Sequence, residues 1–313
     1  MKKLLISILF VSIGIQSLKA NAQVISAFGD LLVWHVSEQT AATWANIVSK
    51  PQSNTVDFDA ANIEFNWDVG FRGGVLFSPN KDTQDVAAYW TYFPSRSSSN
   101  FRLSEQIVVP DFFSGFVSED LFFGANINWR IIMNMFDLEI ARKINIGHGV
   151  SICPAIGIKS GTIKQSINTE WDALVYTASE NVKHNYFGVG PTFSIDTNWN
   201  VYKNINLIGD FATAFMWGYW QISDTYTRPP ALFGIVTPTT ITTNMNQMRL
   251  GTAMFDYFMG LEWAHQGKLN INLQLGYEMQ LWTNQLRMPT FQQLPVHGNL
   301  TLQGATCHIR IDL

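Results

Sequence analysis

The sequence predicts an all-β protein, a transmembrane antiparallel up-and-down β-barrel of about ten strands, with twelve as the alternative count. Three observations predict it. The first is Leu269 to Leu281, where Leu269, Ile271, Leu273, Leu275, Tyr277, Met279 and Leu281 alternate with Asn270, Asn272, Gln274, Gly276, Glu278 and Gln280. A period of two gives an extended strand with one apolar and one polar face. Its thirteen residues exceed the roughly 9–11 that a tilted transmembrane strand needs. The second observation is composition: hydrophobic content is 47% and charge only 14%, against about 25% charge in average soluble domains. Beyond the N-terminal leader no segment approaches 18 uninterrupted apolar residues. Spanning helices are therefore excluded, and apolar residues spread over every second position are what a membrane barrel requires.

The third observation is the spacing of the elements. Alternating segments fall near 27–35, 62–77, 85–93, 121–143, 150–166, 183–198, 204–224, 247–264, 268–284 and 299–313. The connections at Pro79–Asp82, Asn145–Gly149, Asn200–Lys203 and His265–Gly267 are short. Those at 36–61, 94–120, 167–182, 225–246 and 285–298 are long and rich in Ser, Thr, Asn and Pro. Short turns at one rim and long loops at the other are the habit of outer-membrane barrels, with both chain ends on the short-turn, periplasmic side. A further hairpin near Gln106–Val109 would make the count twelve.

The N-terminus supplies an address. Lys2 and Lys3 precede an apolar run from Leu4 to Ile15, and Ala20-Asn21-Ala22 is a small-x-small cleavage signal. Residues 1–22 read as a signal peptide and 23–313 as the barrel domain of a Gram-negative outer membrane. Removing Lys2, Lys3 and Lys19 from the 20 basic residues leaves 17 against 24 acids, a net charge of −7. With no basic stripe, that charge argues against a nucleic-acid partner. Cys153 and Cys307 lie on distant strands and on opposite faces by the alternation, so two separate thiols are expected. No CxxC or Cys/His cluster points to a metal.

Aromatic residues gather near strand ends: Trp129, Trp199, Tyr202, Trp217, Tyr219, Trp220, Trp263 and Trp282. Amphipathic rings suit the headgroup layer. Around Met135–Phe136 and at Gly304 the apolar set changes face, which reads as bulges.

The run from Asn185 through Tyr186, Phe187, Gly188, Val189 and Gly190 to Pro191, followed by Asp196 and Trp199, resembles the FxGxGP…DxxW segment of the Legionella-type major outer membrane protein family, related to proteins of chlamydia-like bacteria. Trp129 to Asp137 with Glu139 and Arg142, Pro154 with Gly157 and Lys159, and Tyr277-Glu278 with Trp282, Asn284 and Leu300 to Gly304 follow in the same order. The resemblance spans about 27–313. It implies a pore-forming outer-membrane barrel that passes small hydrophilic solutes or ions, with membrane lipids and the barrel-assembly machinery as partners and no cofactor. Two departures stand out: the chain ends in Leu313 rather than an aromatic residue, and Lys159 stands where arginine is expected.

A pore needs no catalytic residues, only a polar inward face. The alternation places Arg130, Lys159, Asp196, Asp210, Asp256, Glu262 and Glu278 inward as pore-lining residues. At the midplane a lipid-facing Arg or Lys costs about 2–4 kcal/mol. Asp137, Glu139 and Arg142 read as an ion-pair network at the periplasmic rim. Two other classes fit the same features. One is a surface adhesin acting through its external loops. The other is an outer-membrane hydrolase using His35, His184 or His297 with Asp57, Asp59 or Asp172, whereas His148 and His265 fall in turns at the opposite rim and His308 near the same end.

Overall fold

All ten alternating segments form strands, and the strands close on themselves. The computed structural model describes residues 24–38, 43–48, 58–79, 84–102, 106–110, 122–230, 239–265, 267, 270–288 and 296–313. In chain order these form β1 (Val24–Glu38), β2 (Thr43–Val48), β3 (Phe58–Asn62), β4 (Trp67–Ser78), β5 (Gln84–Arg102), β6 (Ile107–Pro110) and β7 (Phe122–Arg142). There follow β8 (Ile144–Gly147), β9 (Val150–Ala173), β10 (Thr177–Tyr202), β11 (Ile205–Arg228), β12 (Thr239–His265), β13 (Asn270–Met288) and β14 (Val296–Asp312). Residues 1–22, read from the sequence as a signal peptide, lie outside the described residues.

The wall runs β1-β4-β5-β7-β9-β10-β11-β12-β13-β14 with every neighbouring pair antiparallel, giving ten strands among the described residues. Closure comes from β14 pairing with β1, Ser26 opposite Asp312 through Glu38 opposite Leu300. An open edge in lipid would strand backbone donors and acceptors, so closure is the physical requirement. The segment at Gln106–Val109 does not add a wall hairpin. It contributes β6, which pairs with β2 and meets β7 only at Val108–Phe122, so β2, β3 and β6 form a small sheet at the rim.

The two rims differ as the connection lengths predict. At the turn end, β8 and β9 are joined through Gly147, His148 and Gly149, all at positive φ, and β10 and β11 through Lys203 and Asn204. At the other end much of the polar "loop" sequence is strand: β10 is 26 residues long and β12 is 27. Both described chain ends lie at the turn end, since Ser26 pairs with Asp312.

This extra length divides the barrel into two tiers. Toward the turn end the outward residues are apolar and exposed, including Phe136, Leu138 and Ile140 on β7, Phe193 and Ile195 on β10, and Leu273, Leu275 and Tyr277 on β13. Such a band is stable only against lipid. Toward the extended end the outside turns polar and the inside apolar: Trp34, Phe93, Ile127, Trp129, Ile131, Trp171, Trp220 and Trp282 are all buried. On β7, Trp129, Ile131, Met133, Met135 and Asp137 point inward without interruption, and the pairing to β5 and β9 shows no register shift at Met135–Phe136. Gly304 likewise sits in unbroken register with β1 and β13. The change of apolar face is therefore not a bulge. The strand keeps its parity while its surroundings swap, lipid outside becoming water and polar interior becoming core.

The same swap sorts the aromatic residues. Trp199, Tyr202, Trp217, Tyr219 and Trp263 face outward and are exposed, as an interfacial girdle requires. Trp129, Trp220 and Trp282 are instead buried inside the extended tier. There the inward Gly188 and Gly218 are paired across β10 and β11 and lie under the Tyr186 ring, which a Cβ at either position would strike. Cys153 faces inward and Cys307 outward, both as free thiols.

Candidate functional site in the barrel interior

Six of the seven residues expected to point inward do so: Lys159, Asp196, Asp210, Asp256, Glu262 and Glu278. Arg130 does not. It lies between the buried Trp129 and Ile131 and is exposed on the outer wall. The inward assignment assumed lipid outside at that level, whereas Arg130 sits in the extended tier, where the outside is aqueous.

The centre of the belt-level interior is a charged network that the sequence did not single out. Arg72 on β4 bridges Asp30 of β1 at 3.1 Å and Glu278 of β13 at 2.6 Å. It also donates to Thr91 at 3.2 Å and lies 5.9 Å above the Trp34 ring. Asp30 contacts His308 Nδ1 at 2.6 Å, and Glu278 accepts from Thr306 at 2.8 Å. Gln280 donates to both Asp256, at 2.8 Å, and Glu278, at 3.2 Å. On the facing wall Lys159 pairs with the fully buried Asp137 at 2.7 Å. Strand order explains the meeting: β4, β1, β14 and β13 are consecutive in the wall, so residues 206 positions apart in sequence have only two strands between them. A cavity of about 50 Å³ remains between the two halves, lined by Arg72, Tyr89, Thr91, Met133, Met135, Lys159, Asp256 and Gln280.

The Asp137–Glu139–Arg142 rim network is not formed as such. Asp137 and Glu139 point inward, Glu139 accepting from Tyr89 at 2.8 Å, while Arg142 is exposed on the outer face. Nearer the turn end Glu262 accepts from Asn198, Asn206 and Gln274 at 3.0, 2.6 and 2.8 Å. Asp196 and Asp210 stand directly opposite each other on β10 and β11. Asp196 points inward yet is exposed, so water enters the lumen from this end.

The extended tier closes the other end. Its buried polar groups are threaded through the apolar packing: Trp129 donates to Gln165 at 3.1 Å, and Gln165 to Glu38 at 3.1 Å. Thr169 and Trp171 both donate to Glu180 at 3.3 Å. Burial and then the adjacent Glu180 push the neighbouring Asp224 carboxyl well above the ordinary carboxylate range. Trp44 and Ala45 of β2 are buried against this core, the Trp44 ring tilted against that of Trp171 at 5.6 Å.

The histidines are scattered. His35 packs against Trp67 on the outer wall, His184 is buried in the extended tier, and His265 stacks on Trp263. Asp57 lies outside the described residues, Asp59 is exposed on β3, and Asp172 pairs with Arg102 at 3.2 Å.

A closed ten-stranded wall with an outward apolar band defines an outer-membrane β-barrel. The chain belongs to the family described as Legionella pneumophila major outer membrane protein precursor, which matches residues 28–313. No curated protein matches the chain. Among solved structures, the outer membrane protease OmpT of Escherichia coli is similar at 8% identity and a TM-score of 0.46, covering 95% of this chain and 100% of that one. A Pseudomonas aeruginosa FadL homologue aligns at 6% identity and a TM-score of 0.26, covering 93% and 90%. An anion-selective porin from Comamonas acidovorans aligns at 8% and 0.22, covering 93% and 100%.

Proposed function

We propose that this protein is a pore-forming outer-membrane barrel for small hydrophilic solutes or ions, and a structural component of that membrane, whose passage is held shut by the apolar packing of its extended tier. The observation that carries the reading is the interior-facing yet exposed Asp196 opposite Asp210. Carboxylates without a cation beside them are costly in a dry interior and natural in a wet vestibule. Permanent free diffusion is thereby narrowed to diffusion through a lumen that must first open. The reading assigns the protein no catalytic role. Its partners are the surrounding lipids, the assembly machinery that inserts barrels, and the permeating solute.

The test is conductance of refolded protein in a planar bilayer. The native protein is expected to show long closures with small, infrequent steps. Phe93→Ala with Met133→Ala and Met135→Ala, which thins the buried layer beside the cavity, is expected to give longer openings and larger steps. Unheated electrophoretic mobility confirms that each protein is folded. Silence from both folded proteins would remove the pore reading. Weight would then pass to a surface protein acting through its extended rim, a reading favoured by the β2–β3–β6 sheet fastened there by buried Trp44.

Both described chain ends lie at the turn end, which supports a periplasmic position for that rim. A cysteine introduced at Ser98, exposed on the extended tier of β5, is expected to react with an impermeant maleimide on intact cells. One at Asn200, beside the β10–β11 turn, is expected not to. The reverse pattern would invert the topology.

A further inference from the structure

We infer that Arg96, Arg130, Lys164 and Lys183 form a site on the outer wall for the phosphate groups of an anionic glycolipid headgroup in the leaflet nearest the extended end. The four lie on the consecutive wall strands β5, β7, β9 and β10, and all are exposed. Arg96 is directly opposite Arg130, Arg130 opposite Ser166, and Ser166 opposite Lys183. Lys164, two residues from Ser166 on the same face, is opposite Ile132. At a strand spacing near 4.8 Å the patch is about 15 Å wide, the width of one lipid headgroup rather than of a protein partner.

Its height fixes the occupant. One outward position below Arg96 and Arg130, toward the turn end, lie Pro94 and Ile132, which face each other across the pair. Beneath them come Tyr92, then Trp90 and Phe136, where the lipid-facing band begins. The cations therefore ring the top of the apolar belt, at the level of headgroups. Arg96 donates to the side chain of Asn128 at 3.2 Å, and among the described residues none of the four forms a salt bridge. The exterior carboxylates Glu64 and Glu170 lie farther toward the extended end. In a chain with 24 acidic residues against 20 basic ones, four neighbouring exposed cations are a local departure from the overall charge. The half-buried Asp68 carboxylate beside them is taken up by the Ser95 hydroxyl at 2.7 Å and the Arg96 backbone N–H at 3.3 Å rather than by a guanidinium or ammonium. Arg and Lys beside a wet surface bind phosphate through charge-assisted hydrogen bonds, Arg in bidentate fashion.

The test uses the folded full-length mature chain in zwitterionic micelles, with native mass spectrometry counting adducts of diphosphorylated lipid A. One adduct per barrel is expected at low concentration. The variant R96Q/R130Q/K164Q/K183Q is expected to bind on the order of 100-fold more weakly, given about a fivefold contribution from each basic residue near an anionic surface and some redundancy. A control, R142Q/K143Q/K203Q at the turn end, is expected to keep the adduct, which separates the patch from bulk charge. Equal binding by the quadruple variant would overturn the site, as would equal binding of dephosphorylated lipid A. If inorganic phosphate alone binds as tightly as lipid A, the patch is an ion site and the lipid assignment falls. Unheated mobility of both variants verifies the barrel.

Discussion

Arg72→Ala is expected to cost about 3–5 kcal/mol of stability, the usual penalty for leaving a buried ion pair half removed. Asp30 and Glu278 are each only 3% exposed at the side chain, and Arg72 itself 16%, so neither carboxylate can recover its solvation by turning outward. Urea unfolding in lipid vesicles, followed by tryptophan fluorescence, measures the loss. Trp34, which stacks beneath the guanidinium, adds a local reporter. Removing the network together, as Arg72→Met with Asp30→Asn and Glu278→Gln, is expected to restore most of the stability, because no uncompensated charge is left. An Arg72→Ala midpoint equal to the native one would show that lumen water solvates these carboxylates and that the network is not the centre of the closed state.

The strands and their order were legible because lipid on one side and polar groups on the other write a period of two into the chain. The faces were legible only while that contrast held. On β7 the rule "apolar outward" is right at Phe136, Leu138 and Ile140, and wrong six residues earlier at Arg130, since sequence does not mark where the membrane stops. The change of face at Met135–Phe136 has no glycine beside it and the one at Gly304 sits on a glycine, yet both keep their register. Glycine therefore does not mark a bulge here, and the change of face reports a change of surroundings. The polar stretches at 167–182 and 225–246 read as loops because their outward residues are polar, although β9, β10, β11 and β12 run well into them.

Arg72 escaped notice for a different reason. It sits in Gly70-Phe71-Arg72-Gly73-Gly74, where glycines erase the alternation that would have assigned its face. Its partners come from strands at both ends of the chain and are joined only by barrel closure. No spacing within the sequence encodes that meeting. The acidic members of the lumen were accessible, because Asp196, Asp210, Asp256, Glu262 and Glu278 each lie on the polar side of a strand whose opposite face is clearly apolar.

When the lumen opens, it is expected to favour cations. Of the six residues correctly read as inward, five are acidic and Lys159 alone is basic, and Lys159 is already neutralised by Asp137. With Arg130 on the outer wall, the interior cations already described are Lys159 and Arg72, and both are paired with carboxylates, which strengthens the sign. Rings of carboxylates concentrate cations at a constriction, and the wet Asp196–Asp210 pair lies near the turn end, just inside Glu262, on the path of an ion entering there. Reversal potential under a salt gradient, recorded on the Phe93→Ala, Met133→Ala, Met135→Ala barrel so that openings are frequent, should lie on the cation side. Adding Asp196→Asn with Asp210→Asn should bring it close to zero, while leaving the Arg72 network and the fold in place. Neutralising Asp256 and Glu278 instead would be less clean, since Glu278 holds Arg72 and its loss would disturb closure together with charge. Anion preference in the opened barrel would refute the sign. A cation preference unmoved by the Asp196 and Asp210 changes would place the selective constriction deeper, at the cavity between Arg72, Lys159 and Asp256.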